Sequence, residues 1–234
     1  MKKVILVIGA SRGIGANIVK YFSTAGHELI GVSRTHAPEC RWIKADISTA
    51  SGIQSLLKQL DNIAIDVVVY SSGVWEKYGF TDEFDFRKTS DVETRCIMSV
   101  NVVAPIEITK GLTKNLSLSL NPRAIYLGAL SGVDQRASSQ VAYSASKFAL
   151  RGAIQALRMA LKENNIGFTT INPGNVATEE VLLDMEEGRF KQQALIPISD
   201  ITSSIEWLLS LSNVVEVGDI NLMQKVANKP LEAY

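Results

Sequence analysis

Histidine and cysteine are scarce in this chain, with two of each among 234 residues. Cys40 and Cys96 lie far apart, and His27 and His36 form no cluster with them, so neither a disulfide framework nor a bound metal ion is expected. Isolated free thiols fit a reducing compartment. Net charge of one sign is also missing, because 24 Lys and Arg balance 24 Asp and Glu. A neutral chain has no general attraction for nucleic acid or for an anionic membrane, so neither is expected as a partner. No apolar run approaches the ~20 residues of a membrane span. The apolar stretch after Lys2 and Lys3 covers only residues 4–8 and runs straight into glycines, too short for the core of an export signal. It reads as a first strand, and the expected location is the cytoplasm. No repeat, low-complexity tract or linker divides the chain, so residues 1–234 are read as one domain.

What is present is a regular alternation. Hydrophobic residues make up 46% of the chain and charged residues 21%, the balance of a soluble globular protein. Strand patterns are expected over residues 3–8, 28–32, 41–44, 66–70, 124–128, 167–171 and 219–222. Helical patterns are expected over 13–25, 51–60, 92–116, 141–163 and 199–211. Short strands alternating with longer helices specify an α/β protein, a doubly wound parallel sheet with helices on both faces. Val67-Val68-Val69 reads as a strand buried on both sides. Segments 75–90 and 179–196 are charged and mixed, and fit either loops or short helices.

The first strand feeds Gly9-Ala10-Ser11-Arg12-Gly13-Ile14-Gly15, and a helical pattern follows. Glycines permit a tight turn and a close approach to phosphate, and the helix N-terminus attracts the anion. The strand–turn–helix context points to a Rossmann-type dinucleotide site. The spacing is Gly-x-x-x-Gly-x-Gly, not the commoner Gly-x-Gly-x-x-Gly. An acid near the end of the second strand would bind the adenosine ribose hydroxyls and repel a 2′-phosphate. Here that end reads Val32-Ser33-Arg34, with Arg12 as a second cation in the turn. Arginine matches phosphate with two aligned hydrogen bonds, so NADP(H) is expected over NAD(H). Two solvated surface arginines are the plainer alternative.

Tyr143 and Lys147 stand four residues apart at the start of a helical pattern, so the phenol and the ammonium share one helix face. A free phenol has a pKa of about 10. A neighbouring cation favours phenolate and is expected to lower that value. A tyrosine so placed can exchange a proton with substrate.

Taken with the glycine turn, Tyr143-x-x-x-Lys147 resembles the short-chain dehydrogenase/reductase family, and the resemblance runs over nearly the whole chain. Asp46-Ile47 resembles the family's adenine-contacting pair. Ser72-Gly73 stands where the family has Asn-Asn-Ala-Gly. Asn101 resembles its active-site asparagine, and Asn172-Pro173-Gly174-Asn175-Val176-Ala177-Thr178 its Pro-Gly-x-Val-x-Thr segment. The resemblance implies an oxidoreductase in which Tyr143 is the acid or base, Lys147 binds the nicotinamide ribose, and Asn101 holds a water in a proton relay. It also implies that Gly9, Ser11, Arg12, Gly13, Ile14 and Gly15 bind the cofactor together with Ser33, Arg34, Asp46, Ile47, Ser72 and Gly73. Pro173, Gly174, Val176 and Thr178 would hold its nicotinamide half. The two long helices, 92–116 and 141–163, form a subunit interface in this family, which implies a homodimer or homotetramer.

Three departures bear on this expectation. Ala129 stands where the family has a serine that hydrogen-bonds the substrate oxygen. Ser131 follows two residues later, and strand alternation returns it to the same side if the backbone stays extended. Ser131 is taken as the replacement; the plainer alternative is a turn serine, with Ser138 and Ser139 idle. A missing donor would leave a slow enzyme or a nucleotide-binding regulator. Tyr70-Ser71-Ser72 replaces the asparagines, and its serines are expected to cap backbone groups. Ile8 replaces a common threonine. Residues 179–197, with Val181-Leu182-Leu183, Met185 and Phe190, suit an amphipathic lid over a small, partly apolar carbonyl or alcohol, and Trp75 and Tyr78 suit the opposite wall. The ending Val217-Gly218-Asp219-Ile220-Asn221-Leu222 lacks the Asp-Gly-Gly of 3-oxoacyl-carrier-protein reductases and resembles branches acting on small ketones or hydroxy acids.

Overall fold

The computed structural model describes residues 2–225. Seven parallel strands form one sheet in the order β3-β2-β1-β4-β5-β6-β7. They are β1 (Val4–Ile8), β2 (Glu28–Ser33), β3 (Arg41–Lys44), β4 (Val67–Tyr70), β5 (Arg123–Leu127), β6 (Gly167–Pro173) and β7 (Asp219–Leu222). The helices are α1 (Gly13–Thr24), α2 (Ala50–Gln59), α3 (Asp91–Met98), α4 (Ala104–Leu116), α5 (Val141–Ala160), α6 (Glu179–Glu186) and α7 (Ile198–Ser210). Strand order reverses between β1 and β4, where a doubly wound sheet opens a crevice at its carboxyl edge. Among the described residues, no helix is long and apolar enough to cross a membrane.

Alternation along each strand divides the core. Leu6, Ile8, Val68 and Tyr70 face one side, packed against Ile53 and Leu56 of α2, Ile108 and Leu112 of α4, and Leu150 and Ile154 of α5. Ile5, Val7, Val67 and Val69 face the other, against Ile18 and Phe22 of α1 and Ile201, Ile205 and Leu208 of α7. Arg123, 2% exposed, donates to the carbonyls of Leu211, Ser212 and Val215 and closes the chain that leaves α7.

The expected single helix over 92–116 is interrupted. Ser99–Val103 is π-helical, a wider turn between α3 and α4. In an i→i+5 pattern the Val100 carbonyl meets residue 105, and Pro105 has no N–H to offer. The Tyr70 hydroxyl donates to that carbonyl instead, at 2.6 Å. The expected helix over 141–163 ends its regular part at Ala160, followed by one 3₁₀ turn, Lys162–Asn164, and Asn165 at φ 51°. In segment 179–196 the structure forms α6, whose first turn is capped by the Thr178 hydroxyl on the Val181 N–H. A prediction follows from the π-turn. Tyr70→Phe leaves a buried carbonyl without its donor, so urea denaturation is expected to show a loss of about 1–3 kcal/mol. An unchanged midpoint would mean that water replaces the hydroxyl there.

Candidate active site

The loops after β1, β2, β3, β4, β5 and β6 all leave the same sheet edge, and the sequence-identified site residues lie on these loops, at the strand ends (Ser33, Pro173) or on the helices that follow, with Asn101 in the π-turn beyond α3. At the glycine turn Gly9 takes φ +93° and Gly13 φ +54°, conformations that disfavour side chains. A Cβ on Gly15 would overlap the Gly9 carbonyl, so α1 and β1 approach as closely as backbones allow. The Ser71 hydroxyl donates to the Ile8 carbonyl at 2.9 Å, which is the capping role expected of this Ser-Ser replacement. Arg12 is the N-cap of α1, its side chain caps nothing, and the first turn carries no acid. The leading N–H groups of α1 therefore suit an anion. Ser11, Gly13 and Ile14 are half-buried there, and a Cβ on Gly13 would sit 3.9 Å from the Thr178 methyl, across the crevice. These features fit a dinucleotide whose pyrophosphate rests on α1.

At the adenosine end the outcome is divided. Ser33 is committed: its hydroxyl donates to the Thr35 carbonyl at 2.6 Å and accepts from Trp42 Nε1 at 3.0 Å. Arg34 is exposed. Two bonds from Ser48, with a smaller contribution from Arg34, hold the Asp46 carboxyl below its usual pKa. Ile47 packs on the core beside it. The structure does not join Arg12 to Arg34. Arg12 instead reaches Glu180 of α6 at 2.8 Å, a solvent-exposed ion pair between the glycine turn and that helix.

The catalytic half is tighter. Lys147, 4% exposed, donates from Nζ to the Leu127 carbonyl at 2.9 Å, and Nζ lies 5.5 Å from the centre of the Tyr143 ring. A Cβ on Gly73 would lie 3.4 Å from Nζ and 3.9 Å from Asn101 Oδ1, so those three residues converge. Asn101, 1% exposed and inside the π-turn, pairs both ways with Val74 (N to Oδ1 2.9 Å, Nδ2 to O 2.8 Å) and donates to Ser146 Oγ at 2.9 Å. After β5 the backbone does not stay extended. Leu130–Gly132 is a 3₁₀ turn, and a Cβ on Gly132 would collide with the Lys147 backbone. The turn brings Ser131 to the cavity that Ala129 and Tyr143 also line, and Ser131 Oγ is buried with no protein partner.

Lys147 does not lower the Tyr143 phenol as the spacing suggested. Burial raises it to about 12; the Ser131 hydroxyl, close to the phenol though short of good hydrogen-bond geometry, offsets part of this, and the Glu76 carboxylate adds to it. Burial also lowers Lys147 from 10.5 to about 8, which weakens the cation meant to act on the phenol. In both groups the largest cause is desolvation of the charged form.

The cavity beside Tyr143 has a volume of about 450 Å³. Its wall includes Phe80, Ser138, Asn175, Gln193 and Gln224 together with Pro173 and Gly174. Val176 is buried behind it, bridged to Ile196. Of the expected wall residues, Trp75 and Tyr78 are about half exposed; Trp75 meets the Tyr143 ring edge-on at 6.5 Å, and Phe80 does so at 5.3 Å. From the lid segment, Gln193 and Ala194 reach the cavity, whereas Leu182 and Leu183 are exposed. Ser138, read as idle in the plainer alternative, lines the cavity and bonds Ser144 at 2.9 Å. Phe80, Gln193 and Gln224 carry no motif that sequence reading could catch.

A family model described as short chain dehydrogenase matches residues 3–181. The chain is similar to an acetoacetyl-CoA reductase of Acinetobacter sp. (strain RA3849), with 25% identity over 93% of this chain and 94% of that one. Among solved structures it resembles 4-hydroxyisoleucine dehydrogenase complexed with NADH, with a TM-score of 0.79 and 26% identity over 94% of this chain and 96% of that one. It also shares its fold with ElxO with NADP bound, at a TM-score of 0.81 and 16% identity over 95% and 97% of the two chains.

The Lys147 shift has a consequence for stability. Between its folded value of about 8 and its ordinary 10.5, the unfolded chain holds a proton that the native lysine has released. Stability contributed by this group therefore rises with pH across that window. Melting temperatures of the wild type and Lys147→Met at pH 7.5 and pH 10 are expected to differ progressively in favour of the wild type. A difference that stays constant would place the lysine charge in solvent.

Proposed function

The chain belongs to the short-chain dehydrogenase family of NAD(P)-dependent oxidoreductases, and we propose that it transfers hydride between NADP(H) and a small, uncharged carbonyl compound or its alcohol. The observation that carries this reading is a half-buried phenol and a buried hydroxyl, Tyr143 and Ser131, close together on one cavity beside Lys147. A bound nicotinamide supplies or accepts the hydride. The residues do the rest. Tyr143, protonated near neutrality, donates its phenolic proton to the carbonyl oxygen as negative charge develops there. Ser131 Oγ donates a hydrogen bond to that same oxygen in place of the family serine. Lys147, anchored on Leu127, engages the nicotinamide ribose, and Asn101 holds the loop after β4 against α5 where a relaying water would sit.

The substrate class follows from the wall. Among the described residues lining the cavity none is charged, and the polar groups are amides and hydroxyls. A carboxylate or phosphate there would lose water without gaining a counter-charge. This favours a neutral hydroxy- or polyhydroxy-carbonyl compound over a hydroxy acid or an acyl thioester with a phosphorylated carrier. For the 2′-phosphate we assign Arg34, since the Ser33 hydroxyl already donates its hydrogen bond to the Thr35 carbonyl and Arg12 engages Glu180. A homodimer or homotetramer would use α4 and α5 with the π-turn before α4, whose surface carries exposed Val103, Ile106, Val141 and Met159.

NADPH oxidation at 340 nm against a panel of neutral ketones and aldehydes tests the reading, with NADH and keto acids in parallel. With a substrate in hand, Tyr143→Phe is expected to lower kcat about 10²–10⁴-fold, and Ser131→Ala about 10²–10³-fold, both with NADPH affinity retained. A Ser131→Ala enzyme at full rate would remove Ser131 from the site. Arg34→Asp is expected to reverse the cofactor preference towards NADH; equal NADPH affinities before and after would overturn the 2′-phosphate assignment.

A further inference from the structure

Glu76 is a buried carboxylate that the mechanism above does not use. It sits in the loop after β4, between Trp75 and Lys77, both of which face solvent, yet it is only 1% exposed. Burying a carboxylate is costly unless hydrogen bonds replace its water. Oε1 accepts from the backbone N–H groups of Ala142, at 2.7 Å, and Tyr143, at 3.2 Å. Those are the second and third residues of α5, and the residue in the N-cap position, Gln140, makes no side-chain cap. The capping that a serine or aspartate normally provides from within the helix arrives here from another loop. Oε2 is buried with no partner at all.

We propose that Glu76 is a positioning residue for Tyr143: its carboxylate holds the first turn of α5 from outside the helix and places a negative charge beside the phenol. This rests on the oxidoreductase reading of the site. Three further contacts make the loop a rigid carrier for it. Asn101 pins Val74 through both backbone groups. The Lys77 N–H donates to Glu93 Oε1 of α3. A Cβ on Gly79 would lie 3.3 Å from Gln140 Cγ, so the loop lies against the entry to α5. The same loop supplies Phe80, which lines the cavity and meets Tyr143 edge-on. Glu76 thus ties the helix that carries the phenol to the loop that carries the cavity wall.

Among the described residues, the charged and titratable groups facing Tyr143 are few. Lys147 comes from its own helix, Glu76 from the loop after β4, and the uncharged Ser131 hydroxyl from the turn after β5. The loop after β6 contributes Pro173, Gly174 and Asn175 to the cavity wall, none of them charged. Glu76 raises the phenol's pKa and so keeps the proton on Tyr143. That suits an acid in carbonyl reduction and retards the same residue as a base in alcohol oxidation.

The test separates the two parts of the role. Glu76→Gln keeps an oxygen for the two N–H groups and removes the charge. Its alcohol-oxidation profile is expected to shift to lower pH by roughly 0.5–1 unit, the direction given by removing a like charge, with KM within about twofold of wild type because the cap survives. Glu76→Ala removes the cap as well, and its kcat is expected to fall by up to about 10²-fold, the scale of an ångström of misplacement. The same pH shift is read without any substrate by NMR titration of ¹³Cζ-labelled tyrosine, with the Tyr143 resonance assigned by Tyr143→Phe. A shift by NMR without turnover would sink the enzyme reading and leave the Glu76 proposal standing. If the Glu76→Gln titration superimposes on wild type, the proposal is overturned, whatever Glu76→Ala does.

Discussion

Parallel pairing of every strand is the constraint on which the rest depends. A parallel neighbour requires a crossover, and each crossover helix must return the chain to the amino edge before the next strand begins. The carboxyl ends of all seven strands therefore share one edge. The residues that leave those ends are drawn from positions as distant as Gly9 and Asn175, and they meet there without any local sequence relation. Burial on both faces makes this arrangement stable, since helices cover the two sides of the sheet with separate apolar clusters.

At that edge glycines decide how close the backbones come. Gly15 lets α1 lie on the turn after β1, and Gly132 lets the turn after β5 lie on α5. The second approach matters for chemistry. It places the Ser131 hydroxyl beside the phenol without the extended backbone that alternation assumes, and it leaves Ala129 and Ser131 lining the same cavity.

Electrostatics at the site are set by exclusion of water more than by pairing. Tyr143 is raised and Lys147 lowered, each because its charged form is poorly solvated. A site of this kind keeps its tyrosine protonated near neutrality, and its lysine has a folded pKa within reach of physiological pH. The uncharged cavity wall continues the same theme towards substrate, where amides and a phenyl ring replace the cations that an acidic substrate would need. On the far side of the crevice, the Arg12–Glu180 pair is exposed and worth little in stability, but it joins the glycine turn to α6.

Much of this was legible in the sequence because it rests on local rules. Strand and helix periods gave the α/β alternation, apolar Val67-Val68-Val69 gave a central strand, and the i,i+4 spacing put Tyr143 and Lys147 on one face. Resemblance extended this to the family and to the loops that carry the site. Three things depended on contacts between distant segments. Pro105 removes a donor, and only the presence of Tyr70 shows how the π-turn around Asn101 is satisfied. Desolvation reverses the expected direction of the Tyr143 shift, because burial is a property of the packed core and not of neighbours four residues away. Phe80, Gln193, Gln224 and Glu76 reach the site from loops whose composition signals nothing, and their roles exist only once the sheet has brought those loops to one edge.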